Sequence, residues 1–257
     1  MKATARPTSW PTPQEARFPV LGVPFTLCAF SDAVGRIRDM IASGGSHQVV
    51  LANAHTLNQA ADDPAYRRVL ADADLVLRDG VGVELAARLA GVEAGHNFVG
   101  TDFVPGLLEQ LGPREVRVFL FGAQDGVAER AAEVLRARAS HIHIAGTAPG
   151  YGAFPRVAQQ IRAARPDVLL VALGNPMQER WIDEHHEQLG VPVSIGVGAL
   201  FDYLAGRVRR APRWVLALRA EWLFRLLVEP KRLWRRYVMG NPRFVWRVLR
   251  SRRREQW

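Results

Sequence analysis

Apolar residues in this chain come in short runs separated by longer amphipathic stretches. "PFTLCAF" (24–30), "HQVVLAN" (47–53), "DLVLR" (74–78), "VRVFLFG" (116–122), "HIHIAG" (141–146), "DVLLVALG" (167–174) and "VPVSIGVG" (191–198) each read as a strand. Between most of them, apolar residues recur three and four apart, as in "SDAVGRIRDMIASG", "DGVAERAAEVLRARA" and "PMQERWIDEHHEQLG". Ser31 is placed to cap the first of these helices and Gly44 to end it. Apolar strands alternating with helices predict βαβ units. The expected fold is α/β, with a Rossmann-like, mostly parallel sheet and helices on both faces.

Such a sheet binds ligands beyond the carboxyl ends of its strands. Those ends read Asn53-Ala54-His55, Asp79-Gly80, Gly122-Ala123-Gln124, Gly146-Thr147, Gly174-Asn175-Pro176 and Gly196-Val197-Gly198. Glycine lets a ligand approach the backbone, and the N-terminus of a following helix favours an anion. A phosphate-bearing ligand, foremost a nucleotide, is the first functional expectation.

The stretch "DADLVLRDGVGVELAARLAG" (72–91) narrows that expectation. Gly80 and Gly82 begin a dinucleotide-binding G-x-G-x-x-G turn, but Leu85 occupies the third glycine position. Asp79, directly before the glycines, would also repel a pyrophosphate. An NAD-dependent enzyme is therefore disfavoured. Asp79 keeps two readings, a helix N-cap or a general base at the mouth of the sheet. Asp72 and Asp74 form a D-x-D like that used to hold a metal, yet they stand at the start of a strand, away from the ligand-binding end. A solvated turn and no metal are expected there. The histidines His55, His141, His143, His185 and His186 share no metal-ligand spacing. His185 and His186 read as solvated on a polar helix, whereas His141 and His143 alternate with isoleucines as on an edge strand. In "GNPMQERW", Asn175 is placed to cap a helix with Pro176 at its first position, and Gln178 projects from the same turn.

Composition adds a second theme. A single cysteine, Cys28, excludes an internal disulfide framework and a multi-cysteine zinc site, which fits a reducing cytoplasm. The first twenty residues lack an apolar signal region, and residues 1–18 read as a flexible arm. No run approaches the ~20 apolar residues of a spanning helix. The net charge of +9 is uneven: residues 206–257 hold fifteen Arg and Lys231 against Glu221, Glu229 and Glu255, a net +13, which leaves −4 elsewhere. Five of the seven tryptophans also lie in that tail. The chain thus divides into the arm (1–18), an α/β core (19–205) that holds the expected ligand site and a basic, amphipathic helical appendage (206–257).

In the appendage Leu216, Leu218, Trp222, Leu226, Leu233 and Tyr237 recur at helical spacings, as do Arg225, Arg232 and Arg235 or Arg236. Pro230 and Pro242 divide it into about three short helices. Basic, Trp-rich amphipathic helices suit an anionic membrane surface. The competing uses are packing of the apolar face on the core, pairing of subunits in a homo-oligomer, and binding of single-stranded nucleic acid. The regular apolar face favours the membrane over nucleic acid.

Several blocks in order resemble the bacterial WecG/TagA/CpsF glycosyltransferases, over about residues 23–244. They are "NAHTLNQA", "DADLVLRDGVGVELAARLAG", "VGTDFVPGLL", "GTAPGYGAF", "VLLVALGNPMQERWI", "IGVGALFDYLAGRVRRAPRW" and "EWLFRLLVEPKRLWRRYVMGNPRF". The resemblance implies a cofactor-free, metal-independent, inverting transfer of a sugar. The donor would be a UDP-sugar and the acceptor a polyprenyl-diphosphate-linked sugar, with the enzyme peripheral on the inner face of the cytoplasmic membrane. It implies Asp79 as general base beside Asn53 and Gln178, Tyr151 stacking on uracil, and Asp202 on the ribose hydroxyls. Gly100, Thr101, Gly122, Gly174 and Gly198 would line the substrate site, and Arg225, Arg232 and Arg235 would meet diphosphate charge. Two positions depart from the family: Leu51 stands where many members have Thr, and Asn97 where many have Arg. The first removes a polar group and the second a charge from the expected pocket, which opens the donor to glucose-type or uronic sugars beside N-acetylmannosamine.

Overall fold

A computed structural model describes residues 17–112, 115–151, 154–212, 214–215 and 221–253. The chain begins with a hairpin, β1 (Arg17–Val20) antiparallel to β2 (Val23–Thr26). Its two-residue turn, Leu21-Gly22, has both φ angles positive, the geometry whose twist matches flanking strands. Two expectations change here. "PFTLCAF" ends as a strand at Thr26 and pairs within the hairpin, outside the main sheet. Arg17 and Phe18, expected in the arm, are strand; the arm's residues 1–16 lie outside the described residues.

Helix α1 (Phe30–Ser43) follows, starting one residue before the predicted cap Ser31. The Asp32 carboxylate accepts the Ala29 N–H at 3.1 Å, and Gly44 closes the helix in the left-handed conformation at φ 73°. Next come β3 (His47–Ala52), α2 (Ala54–Asp62), α3 (Pro64–Asp72), β4 (Leu75–Arg78) and α4 (Val81–Leu89). Then follow α5 (Gly100–Gln110), β5 (Val116–Gly122), α6 (Val127–Arg138), β6 (Ile142–Ala148) and α7 (Phe154–Ala164). The core ends with β7 (Val168–Ala172), α8 (Met177–Leu189), β8 (Val193–Gly196) and α9 (Leu200–Leu204). The six strands β3 to β8 form one parallel sheet in the order β4-β3-β8-β7-β5-β6. Gly146 and Thr147, expected at a strand end, lie inside β6, which runs on to Ala148.

Strand side chains alternate between faces, and the core divides accordingly. Val49, Leu51, Leu75, Leu77, Val118 and Leu120 pack under α1, α5, α6 and α9. On the opposite face Val50, Ala52 and Val76 meet α2, α3, α4 and the hairpin, while Phe119, Phe121 and Leu169 meet α7 and α8. Adjacent strands β3 and β8 therefore send their following helices, α2 and α9, to opposite faces. So do β7 and β5, through α8 and α6. Each divergence opens a crevice at the carboxyl ends of the strands.

The amino ends of the strands are stapled instead. Asp74 accepts the Gln48 N–H at 2.9 Å and lies 3.2 Å from His47 Nδ1. This half of the D-x-D is a structural clamp rather than a solvated turn. His185 and His186 also depart from expectation: His185 stacks on Trp181 at 4.6 Å, and His186 is buried with its Nδ1 2.8 Å from the Asp183 carbonyl.

The appendage consists of α10 (Glu221–Val228), α11 (Pro230–Trp234), a π-helical turn (Arg235–Met239) and α12 (Gly240–Arg253). Leu216 and Leu218 lie outside the described residues. Pro242 does not divide the helices as expected: α12 follows the π-helical turn without a break, and the helical run continues through Pro242. Helix α12 folds back onto the core. Phe244 and Val248 are buried in the same cluster as the hairpin and α4. The Gly240 carbonyl accepts the Asn58 amide at 2.8 Å, Arg247 donates to the Asn58 carbonyl at 2.7 Å, and Arg243 and Arg247 both pair with Asp62. Outward of this anchor, Trp222, Leu227, Val228, Trp234 and Met239 are exposed. Among the described residues no helix is long and apolar enough to cross a membrane.

Candidate active site

The crevice between β3 and β8 is roofed by the appendage into a cleft of about 770 Å3. Its floor is the end of β4. The Asp79 N–H continues the sheet by donating to the Ala52 carbonyl at 2.8 Å, and the chain then turns at Gly80, φ 92°. That left-handed turn demands glycine. The N-cap of α4 is Gly80, and no side chain caps the helix. Of the two readings of Asp79, capping is thereby removed, and its carboxylate faces the cleft.

Asn53, which does cap α2, orients that carboxylate. Its Oδ1 accepts the N–H groups of His55 and Thr56 at 3.0 and 3.2 Å, which leaves Nδ2 to donate to Asp79 Oδ2 at 3.2 Å. Asn97 Oδ1 accepts the Gly80 N–H at 2.7 Å and so holds the turn itself. Beneath it, buried Arg78 donates to the carbonyls of Ala94 and Gly95, both at 2.7 Å, and fixes the loop that carries Asn97. Desolvation raises the Asp79 pKa above the ordinary carboxylate value, against the opposing pull of the Asn53 hydrogen bond, Arg236 and Arg225. A carboxylate so placed holds a proton more readily than a solvated one while staying half-buried within reach of the cleft.

The roof brings cations. Arg225 of α10 and Arg236 of the π turn line the cleft, with Glu221, Tyr203 and Arg210. Arg225 lies over the Tyr203 ring at 5.6 Å. Burial and Arg236 push the His55 imidazole down to about 4, so it is neutral here at physiological pH. Burial likewise raises Glu221, with Arg210 and Arg225 opposing. Among the described residues, the buried lining atoms Thr101 Oγ1, Tyr203 OH and Arg225 Nε have no hydrogen-bond partner. Such atoms are costly unless something fills the cleft.

Gly100, Thr101, Gln178 and Gly198 also line this cleft. Gln178 is fully enclosed: its Oε1 accepts the N–H groups of Gly174 and Gly198 at 3.2 and 2.9 Å, and its Nε2 donates to Glu179 at 2.7 Å. The amide therefore ties two glycine turns together rather than pointing a free donor at a ligand. Asn175 does not cap α8; it donates to Glu179 Oε1 at 2.5 Å, and the cap residue is Pro176. Buried Glu179 also accepts the Tyr66 hydroxyl at 3.0 Å. No sequence signal marked this residue, since an acidic residue in a first helical turn is ordinary dipole chemistry and Tyr66 lies far away in the chain.

A profile of the glycosyl transferase WecG/TagA/CpsF family matches residues 18–257. The chain belongs to this family. Among its relatives, a protein of Bacillus spizizenii is 36% identical over 206 residues, 80% of this chain and 79% of the relative. One from Bacillus subtilis is 34% identical over 77% of both chains, and one from Staphylococcus aureus 29% identical over 93% of this chain and 94% of its own. All three are named N-acetylglucosaminyldiphosphoundecaprenol N-acetyl-beta-D-mannosaminyltransferase. The protein is accordingly a glycosyltransferase.

The remaining family-suggested residues fall elsewhere. Gly122 and Gly174 stand at the second crevice, between β5 and β7, where a Cβ on Gly122 would lie 2.5 Å from the Ala172 backbone. Tyr151 follows β6 there, 72% exposed, and the Gly150 N–H before it donates to Ala123 at 2.8 Å. Asp202 lies 4.0 Å from Arg207, which donates to Gln124 of the loop after β5 at 2.7 Å. The structure thus separates Tyr151 and Asp202 from Asp79 into neighbouring crevices joined at Gly174 and Gln178. Arg235 is exposed and does not line the cleft; Arg236 does. Arg232 belongs to α11, and its side chain lies outside the described residues. Leu51 is buried against the cleft wall beside Gly100. Tyr203, Arg210 and Glu221 were not singled out from the sequence: Tyr203 reaches the cleft from α9, after β8, and Arg210 and Glu221 reach it only because the appendage folds over the sheet.

Proposed function

We propose that this glycosyltransferase moves a hexose or N-acetylhexosamine from a UDP-sugar to a polyprenyl-diphosphate-linked sugar in cell-surface polysaccharide or exopolysaccharide synthesis. It does so with inversion, without a metal, and at the inner face of the cytoplasmic membrane. The observation that carries the reading is the carboxylate of Asp79, turned into the cleft by Gly80 and Asn53 and capping no helix. The names of the relatives supply the acceptor chemistry, a sugar on diphosphoundecaprenol.

In the proposed step the acceptor hydroxyl oxygen attacks the anomeric carbon from the face opposite UDP. The new glycosidic C–O bond forms as the bond from that carbon to the UDP oxygen breaks, and UDP leaves with the electron pair. The hydroxyl proton passes to Asp79, whose elevated pKa suits a group that must take it. Arg225, Arg236 and backbone N–H groups at the glycine turns offset the charge on the diphosphates. Tyr151 and Asp202, in the neighbouring crevice, would take the uridine, which lets the diphosphate span the Gly174–Gln178 junction. The exposed tryptophans and aliphatic residues of α10 to α12, on a strongly basic segment, would rest on anionic lipid.

The test is UDP release by purified full-length protein given diphosphate-linked GlcNAc lipids and a panel of UDP-sugars. Turnover with one donor supports the reading; a folded protein silent with every donor refutes it.

A further inference from the structure

The wall of the cleft is not uniform. Beside the charged groups of Asp79, Arg225 and Arg236 it carries a set of hydrocarbon side chains. Val81 and Leu85 stand one turn apart on α4 and are 43% and 39% exposed, while Val83, Ala86 and Ala87 of the same helix face the core. Trp222 of α10 and Phe244 and Val245 of α12 complete the same continuous cavity. The two sides are held together by α12: a Cβ on Gly82 would lie 3.4 Å from Phe244 and 2.9 Å from Ala54, so only glycine admits this close approach. Large aliphatic side chains left in water beside a cation-lined cleft are a liability unless a ligand covers them.

We propose that the groove bounded by Val81 and Leu85 of α4 and by Trp222 and Val245 of the appendage binds the isoprenoid units nearest the diphosphate of the lipid-linked acceptor. The proposal rests on the transferase reading above and adds a subsite to it. The occupant follows from the two ends of one cavity. A ligand that fits both must be an anion at the Arg225–Arg236 end and an extended hydrocarbon at the other, and a prenyl diphosphate has that form. A uridine nucleotide would leave the aliphatic wall bare. A bilayer would cover the wall but could not reach Asp79 from it. Leu223, Leu227 and Val228 of the same helix as Trp222 are exposed as well, so α10 offers further hydrocarbon surface beside the one side chain it contributes to the groove.

Isothermal titration of the full-length protein with geranylgeranyl diphosphate, below its micellar concentration, and with inorganic diphosphate tests this directly. Burial of only a few methylenes is enough for about tenfold, so the prenyl compound should bind at least ~10-fold more tightly. The double variant Val81→Asn, Leu85→Asn should erase that preference while leaving the affinity for inorganic diphosphate; should it fold poorly, Val81→Ala, Leu85→Ala should shrink the preference. Binding of the same variants to anionic phosphatidylglycerol vesicles should stay within about twofold of the wild type. Equal affinity of the wild type for the two probes overturns the proposal, as does a preference that survives the substitutions. So does a loss of vesicle binding that matches the loss of prenyl binding, which would make the two residues part of the membrane face. A prenyl preference without UDP release on any acceptor would sink the transferase reading and keep the groove.

Discussion

Replacing Asp79 by Asn changes one atom at the cleft floor and leaves the frame in place. Asn53 Nδ2 lies 3.2 Å from Asp79 Oδ2, and an amide oxygen in that position accepts the same hydrogen bond. The Asp79 N–H to Ala52 and the Gly80 turn belong to the backbone and do not change. What is lost is the proton acceptor. General bases contribute roughly 10²–10⁴ in rate, so kcat should fall about 1000-fold, or about 4 kcal/mol in the barrier. A carboxylate is also removed from beside the cations Arg225 and Arg236, so affinity for UDP should be unchanged or slightly higher. The pH profile adds an independent readout. The base works when deprotonated; wild-type activity is present above its pKa and lost as pH falls through it. Burial raises that pKa, so the acid limb should begin above the ordinary carboxylate range, and the variant should lack it. The assay is UDP release across pH together with UDP titration, with thermal denaturation as the check on folding. A variant that retains kcat within about threefold, or one that keeps the same acid limb at reduced rate, would refute the assignment of Asp79.

Phe244→Ala should destabilise the protein by about 3–5 kcal/mol in chemical denaturation, because Phe244 is 2% exposed and packs α12 against α4. An unchanged midpoint would mean that the appendage is not docked as described. Glu179 predicts a pH dependence of stability. Burial pushes its carboxyl up to about 7, so its contribution is complete below the ordinary glutamate pKa and is lost as pH rises through 7. Glu179→Gln should therefore gain on the wild type by up to about 3 kcal/mol between pH 4.5 and 8, and parallel stability curves would show that the donors from Asn175, Gln178 and Tyr66 hold Glu179 ionised throughout.

Much of the fold was legible because its signals are local. Strands inside the sheet are buried on both faces, so β7 reads as an unbroken apolar run and β5 as one broken only by Arg117, and the amphipathic helices between them carry their own period. The hairpin was not legible, because the expected arm boundary at residue 18 cuts through β1 and "PFTLCAF" has the same apolar character as a sheet strand. At the site, Asp79 was visible as an acid in the wrong place for a dinucleotide turn, but its freedom from capping depended on the φ of Gly80. Gln178 was visible as a polar residue at a helix start. That its amide joins Gly174 to Gly198 depended on β7 and β8 being neighbours.

The appendage divides the two kinds of information most clearly. Its basic charge, its tryptophans and the spacing of its arginines are properties of the chain alone. Spacing left Arg235 and Arg236 equivalent, since periodicity assumes an unbroken α-helix. The change of direction at Pro230 and the wider π turn at Arg235–Met239 alter the helical phase, and Arg236 rather than Arg235 lines the cleft. The return of α12 onto α2 and α4 then carries Arg225, Glu221 and Trp222 over the sheet. Local sequence determines which residues a segment offers; the packing of Phe244 against a glycine in a distant helix decides where they are offered.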